Sequence, residues 1–423
     1  MWSTIRRKPL FFILLGAFAL RAVTAVALQQ WIDTEPNRTF LIEGDANGYW
    51  ELGRKIAQGR PDALSTLPNT RDVLRMPGFP ALLGLSIAVA GESFLFARIL
   101  LAAVGTVACG LVYCLGKELF DKTIGLMAAG IAAILPTFVG FSVVILSETL
   151  FAATLLAGLL FMAKLTKTSF ATETRRRGIR LSLTVGLIVA AACYVRPSWL
   201  LAGPLFGLIY LTAADNKKQA ALRSSLILTA LFLALLPWAY RNHQVTEHWI
   251  FTTLWAGPSL YDGLNPLATG ESDMTFYETD RLSETGMTEY EIDQHYRQKA
   301  WQFVVENPGR TAELAWIKLL RFWKPWPNAE QFQNIGYCLG VALFFIPMIM
   351  FAIFGLWTHS NRMWICLLTS GPIFYFTLIH MIFVGSLRYR LPAEYPLCVL
   401  SAAGISRSLS AISSFLSARR KAS

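Results

Sequence analysis

Asp45 lies in the stretch Glu43-Gly-Asp-Ala-Asn-Gly-Tyr-Trp50, four positions before Tyr49 and just beyond the first long apolar run. A carboxylate beside a bilayer is costly to bury unpaired, so one kept there needs a use, and a general base is the role it could fill. Asp before Ala-Asn-Gly-Tyr is equally a natural N-cap, and a helix starting there could aim the same carboxylate at a cavity. Glu148, in Leu146-Ser-Glu-Thr149, is a second acid and the one charge between Gly125 and Met162. It could cap a helix start, but an isolated carboxylate at membrane depth usually marks a site. A third group is Arg75, Arg98, Arg196, Arg241, Arg388 and Arg390. Gathered at one membrane boundary they would bind an anion, and guanidiniums suit phosphate through paired contacts. Snorkelling to lipid headgroups explains any one of them. It explains Arg388-Tyr-Arg-Leu-Pro392 less well, where two arginines flank Tyr389 in what reads as a tight turn.

The elements that must hold these groups are helices in a membrane. The 423 residues are 54% hydrophobic and only 15% charged, against the quarter or so usual for a soluble chain. Long apolar runs recur from end to end, without the alternation of barrel strands. The formal charge of +11 comes with Lys and Arg clustered in short loops, which fits orientation by the positive-inside rule and anionic lipid rather than nucleic acid. The run after Arg6, Arg7 and Lys8 is too long for a signal-peptide core and is read as a retained anchor. All six cysteines (109, 114, 193, 338, 366, 398) fall inside apolar runs, which argues against disulfides and thiolate metal sites.

The charge pattern sets the topology. A first span over 9–28 runs outward, leaving 29–76 outside. Within it the pattern over 46–58 predicts an interfacial helix ended by Gly59, with Tyr49, Leu52, Ile56 and Ala57 on one face. The apolar run 81–90 covers about 15 Å of helix, half a hydrocarbon core, so 77–91 stays on the outer side. Lys117, Lys122, Lys164, Lys167 and Arg175 to Arg180 belong inside. Spans then follow at 94–115, 123–141, 149–163, 181–195, 198–213, 224–240, 333–356, 363–384 and 396–412, ten in all (range 9–12), with both termini cytoplasmic. The domains are a membrane catalytic module over 1–240 with its first loop at 29–93, an extracytoplasmic loop over 241–332, and C-terminal spans over 333–423. Four polar segments share the outer face: 29–93, the turn around Ser142–Glu148, 241–332 and Ser386–Tyr395. Residues 271–293 hold eight acids and one arginine, read as a solvated surface. Leu314 to Trp326 interleaves aromatics with Lys and Arg, as in a helix at the headgroups.

Other chemistries find little support. The histidines 243, 248, 295, 359 and 380 show no HExxH or paired Cys/His spacing. A metal shared between His243 or His248 and a carboxylate is left open, so no cofactor is called beyond an unforced divalent metal. There is no P-loop, dinucleotide-binding glycine signature or GxSxG elbow, which argues against nucleotide-driven chemistry.

Asp45-Ala-Asn-Gly-Tyr49 with Ala57 and Gly59 resembles the first-loop motif of the C-type polytopic membrane glycosyltransferases. That group includes the protein O-mannosyltransferases and the lipid A aminoarabinose transferase. Arg75-Met-Pro-Gly-Phe-Pro80, Leu146-Ser-Glu148, Pro237-Trp-Ala-Tyr-Arg-Asn242, Gly263-Leu-Asn-Pro-Leu-Ala-Thr-Gly270 and Arg388-Tyr-Arg-Leu-Pro392 resemble the same group, in the same order. The resemblance implies the C-type glycosyltransferase fold and transfer of a sugar from a polyprenyl phosphate on the extracytoplasmic face of the plasma (inner) membrane. It implies Asp45 as general base for an inverting displacement and Arg75, Arg196, Arg388 and Arg390 as the clamp on the leaving phosphate. Tyr49 and Tyr389 would shape the substrate, and Glu148 matches a second acid that in some members helps hold a metal. The adjacent acid pair of the mannosyltransferases is missing, because Ala46 follows Asp45. That leaves a glycan, lipid or protein as acceptor and puts a protein in most doubt. The other reading is a non-catalytic carrier or flippase of lipid-linked sugar, which needs the same clamp but not Asp45. A secondary transporter is disfavoured because charges within spans are few, with Arg21 and Arg407 expected toward helix ends.

Overall fold

A computed structural model describes residues 8–35, 37–59, 73–168, 175–328 and 332–422, so the expectation for Arg6 and Arg7 lies outside the described residues. The described residues form helices and connecting loops, with no strand among them. In chain order the helices are α1 (Pro9–Asp33), α2 (Glu43–Ala57), α3 (Gly78–Ala90), α4 (Phe94–Leu119), α5 (Lys122–Ile134) and α6 (Pro136–Phe141). They continue as α7 (Glu148–Thr166), α8 (Arg175–Val195), α9 (Ala202–Ala213), α10 (Lys217–Thr246), α11 (Ala256–Gly263) and α12 (Thr275–Asp280). The remainder are α13 (Glu289–Glu306), α14 (Pro308–Trp323), α15 (Ile335–Thr358), α16 (Met363–Ile382) and α17 (Leu387–Ala422).

Eight described helices are long and apolar enough to cross a bilayer: α1, α4, α7, α8, α10, α15, α16 and α17. The chain is a multi-pass membrane protein. The other two expected spans, 123–141 and 198–213, are present as shorter apolar pieces. The first is broken by proline chemistry. Pro136 has no N–H to give back to Ala132, and it drives Leu135 out of the helical region to φ −58°, ψ 121°. Helices α2 and α3 form where the sequence pattern predicts them. Helix α2 ends at Ala57 with Gly59 in the left-handed region, and α3 remains a 13-residue helix packed against it.

The break between α5 and α6 explains a charge that the sequence reading misplaced. Arg21 is not toward a helix end: it lies midway along α1 and is fully buried. Its Nη1 donates to the Ala133 carbonyl at 3.0 Å and its Nη2 to the Ala132 carbonyl at 3.1 Å. These are carbonyls that the proline break leaves without a helical partner. Arg21 therefore satisfies backbone at a broken helix.

Helix α17 is the axis of the bundle, packing against α15, α16, α5, α7 and α4. Residues 390–404 are buried on every side, the mark of a core helix rather than a lipid-facing one. Helix α15 comes so close that a Cβ on Gly355 would overlap the Leu400 carbonyl oxygen. On the other flank the Tyr395 ring stacks on Phe138 of α6 at 3.7 Å. Helices α11 to α14 form a small module between α10 and α15, with a core of Leu264, Ala268, Ala300, Phe303 and Leu314. Two bonds tie it to the segment before α3: the Val73 N–H donates to the Glu289 carboxylate at 3.0 Å, and the Leu254 N–H donates to the Val73 carbonyl at 2.9 Å.

Arg21→Leu leaves two buried carbonyls unsatisfied, at about 1–3 kcal/mol per orphaned group. The variant should melt measurably below wild type in detergent, and an unchanged melting temperature would show that the guanidinium is dispensable to α5.

Candidate active site

Five separate segments deliver side chains to one end of the bundle. Asp45 sits on the first turn of α2, immediately after Gly44, whose backbone is non-helical. Its Oδ1 accepts from Arg75 Nη2 at 2.6 Å and its Oδ2 from Arg388 Nη1 at 2.7 Å. Glu148 opens α7 and is fully buried. Its Oε1 accepts from Arg196 Nη2 at 2.9 Å and also from Arg388 Nε. Arg388 thus bridges the two acids.

Local sequence explains how each guanidinium gets there. Pro197 ends α8 and holds Arg196 in an extended conformation, which swings its side chain off the helix axis. Arg75 lies two residues beyond Val73, whose N–H is held by Glu289 of α13 and whose carbonyl is held by Leu254, just before α11. Its guanidinium lies 4.3 Å from the Tyr49 ring centre. Arg388 sits on the first turn of α17. Both Arg196 and Arg388 face the Tyr389 ring, at 5.3 and 5.7 Å. Ser147 completes the set: its Oγ accepts from Arg196 Nε at 3.1 Å and from the Tyr49 hydroxyl at 3.4 Å. Behind Tyr389, the His380 ring stacks in parallel at 4.6 Å, with its Nδ1 2.8 Å from the Val384 carbonyl.

The cluster holds two carboxylates and three guanidiniums, a surplus of one positive charge. A third of the Asp45 side chain stays accessible, whereas Glu148 is fully buried. Burial alone would raise the Asp45 carboxyl. The Arg388 and Arg75 guanidiniums outweigh burial and hold it well below the usual carboxylate range. Arg75 is likewise held above its ordinary value, burial being overcome by Tyr49 and Asp45. This arrangement suits an added anion. It does not fit a divalent metal, because both Asp45 oxygens and Glu148 Oε1 already face guanidiniums, and a dication there would meet three fixed positive charges.

Of the residues singled out from sequence, Asp45, Tyr49, Arg75, Glu148, Arg196, Arg388 and Tyr389 come together here. Arg390 does not. Residues 388 and 390 begin a helix rather than a tight turn, and two positions apart on a helix is roughly 200° of rotation. Arg390 therefore points away, fully buried, donating to Glu394 and to the carbonyls of Phe322 at 2.6 Å and Lys324 at 3.0 Å. Arg98 is also spent elsewhere, on Gln29 and the Val143 carbonyl. His243 stacks on Trp249 and His248 on Tyr290. The capping role read for Asp45 is not what its oxygens do, since both are taken by arginines. Several acids of 271–293 are not merely solvated: Asp293 is buried and accepts from the Gly257 N–H, and Glu289 holds Val73. Ser147 and His380 are not among the residues that the sequence assigns to the site. Ser147 lay inside the quoted Leu146-Ser-Glu148 motif, whereas nothing in the sequence marks His380.

This helical arrangement is the C-type glycosyltransferase fold. The chain resembles that superfamily in sequence as well. Residues 75–240, which include Arg75, Glu148 and Arg196, match the family model described as dolichyl-phosphate-mannose-protein mannosyltransferase. The archaeal oligosaccharyltransferase AglB from Archaeoglobus fulgidus, solved with an inhibitory peptide and a dolichol-phosphate, superposes with a TM-score of 0.59 at 14% identity, covering 99% of this chain and 52% of that one. The Archaeoglobus fulgidus oligosaccharyltransferase tethered to an acceptor peptide gives 0.57 at 14% identity, over 98% and 51%. ArnT from Cupriavidus metallidurans bound to undecaprenyl phosphate gives 0.41 at 15% identity, over 93% and 78%. The chain spans about half the length of the oligosaccharyltransferase chains it matches. A sequence search of curated proteins returns no significant match.

Because the folded-state pKa of Asp45 is depressed, its pairing stabilises the fold above the unfolded value of about 4 and is lost as pH falls below it. Asp45→Asn should flatten the acid side of a melting-temperature profile relative to wild type. Identical acid limbs would show that the arginines do not hold this carboxylate.

Proposed function

We propose that the protein is an inverting membrane glycosyltransferase that moves a sugar from a polyprenyl-phosphate donor to an acceptor hydroxyl on the extracytoplasmic face. The observation that carries this reading is the convergence of Arg75, Arg196 and Arg388 on Asp45 and Glu148, with Asp45 left partly accessible. Three guanidiniums with one uncompensated charge match a phosphate that must leave as an anion. AglB, which shares the fold, was solved with a dolichol-phosphate, and this agrees with such a donor.

Asp45 accepts the proton of the acceptor hydroxyl as its oxygen attacks the anomeric carbon. The bond from that carbon to the phosphate oxygen breaks, and the polyprenyl phosphate departs with the electron pair. Held by two guanidiniums, Asp45 is a weak base. The donor phosphate competes for the same guanidiniums, so Asp45 gains basicity when the donor is in place. Glu148 fixes the directions of Arg196 and Arg388 from below. Tyr49 and Tyr389 shape the walls through their stacking on the arginines. The outer location of the site is supported by Lys117, Lys122, Lys164, Lys167 and Arg175 to Arg180, at the opposite ends of α4, α5, α7 and α8.

A deletion strain should lack one envelope sugar and accumulate its polyprenyl-phosphate donor, and the wild-type chain should reverse both. Asp45→Asn should lower transfer by about a hundredfold or more, as expected for loss of a general base, while still binding undecaprenyl phosphate. Full turnover by Asp45→Asn would overturn the base assignment, whereas binding of undecaprenyl phosphate with no transfer by the wild-type chain would favour the carrier or flippase reading. Arg388→Ala should weaken undecaprenyl phosphate binding by about tenfold or more, the scale of a lost charge-assisted contact.

A further inference from the structure

Helix α14 lies against the turn that leads into Arg388 and holds it on both sides. Before the turn, Lys318 is fully buried and its Nζ donates to the carbonyl of Ile382, the last residue of α16, at 2.7 Å. At the turn itself, a Cβ on Gly385 would overlap the Lys318 carbonyl oxygen, so the backbone of the turn lies flush against α14. A Cβ on Gly263 of α11 would come within 2.9 Å of the same Ile382 carbonyl oxygen. After the turn, Arg390 reaches back to the carbonyls of Phe322 and Lys324 at the end of α14. The Phe322 ring stacks on His380 at 5.7 Å, and His380 in turn stacks on Tyr389.

Packing does not call for a cation at position 318. The site is closed, no described carboxylate lies within ion-pair distance of Nζ, and a methionine would fill similar space. Burial pushes the Lys318 ammonium down to about 8, against the pull of the Asp262 carboxylate, so the charge is held there at a cost. What it secures is the C-terminal carbonyl of α16, one of the groups a helix end leaves without a partner.

We propose that Lys318, with Arg390, is a positioning residue that fixes the turn at 383–386 so that Arg388 reaches both Asp45 and Glu148. The role rests on the reading of Arg388 as part of the phosphate clamp. It makes the α11–α14 module a brace for two of the three guanidiniums, because the same module already holds Val73 beside Arg75.

A double-mutant cycle on the purified full chain tests this, with binding of undecaprenyl phosphate as the readout. Lys318→Met should weaken binding by about tenfold in the wild-type background and by less than about twofold in Arg388→Ala, because positions that act through one another are not additive. An equal loss in both backgrounds would mark a general structural role and overturn the assignment. So would undiminished binding by Lys318→Met where Arg388→Ala binds poorly. If Arg388→Ala binds as well as wild type, the phosphate-clamp reading beneath the proposal falls instead. Should Lys318→Met not fold, Gly385→Ala displaces the same turn without removing a charge, and it should show the same dependence on Arg388.

Discussion

The bridge that Arg388 makes between Asp45 and Glu148 is the contact on which the site's geometry depends. Asp45 comes from a loop helix and Glu148 from the first residue of a membrane helix, and no backbone element links them directly. One guanidinium, offering several donors in a fixed plane, sets their separation. Arg75 and Arg196 then complete one acid each. Two carboxylates this enclosed would repel each other if left alone. With three arginines the balance reverses, and Asp45 stays ionised in a cluster that carries net positive charge.

The surrounding bundle keeps that bridge in place through buried arginines that each tie separate elements together. Arg21 answers carbonyls freed by the break at Pro136, Arg98 ties α4 to α1 and to the turn before α7, and Arg390 ties α17 to α14. In a low-dielectric interior an unpaired cation is severely penalised, so each of these arginines also dictates which backbone must lie beside it. The long buried stretch of α17 serves the same end, since a helix packed on every side has little freedom to rotate Arg388 away.

Much of this could be read from the chain alone. Charge parity across the apolar runs put Asp45, Arg75, Glu148, Arg196 and Arg388 on one side, and the order of short motifs made the fold recognisable at a distance where sequence identity falls to 14%. What remained hidden depends on three-dimensional register. Whether Arg388-Tyr-Arg390 is a turn or a helix decides which arginine faces the acids, and residue types alone do not separate the two. Arg21 looked like a boundary charge because the carbonyls it satisfies belong to another helix more than a hundred residues away. The acids of 271–293 looked like solvent-facing charge because their partners, Val73 and the Gly257 N–H, are backbone groups that carry no signature of their own.

The position of Arg388 on α17 has a consequence for how the protein is made. Asp45, Arg75, Glu148 and Arg196 all precede it, and four of the helices able to cross a bilayer lie complete before Arg196 is reached. A nascent chain can therefore insert most of its helices while its two acids each hold a single guanidinium and share none. Only when α17 slots between α15, α16, α5 and α7 does the bridge close. Assembly of this charged cluster is thus a late event in biogenesis, tied to the same step that fills the middle of the bundle.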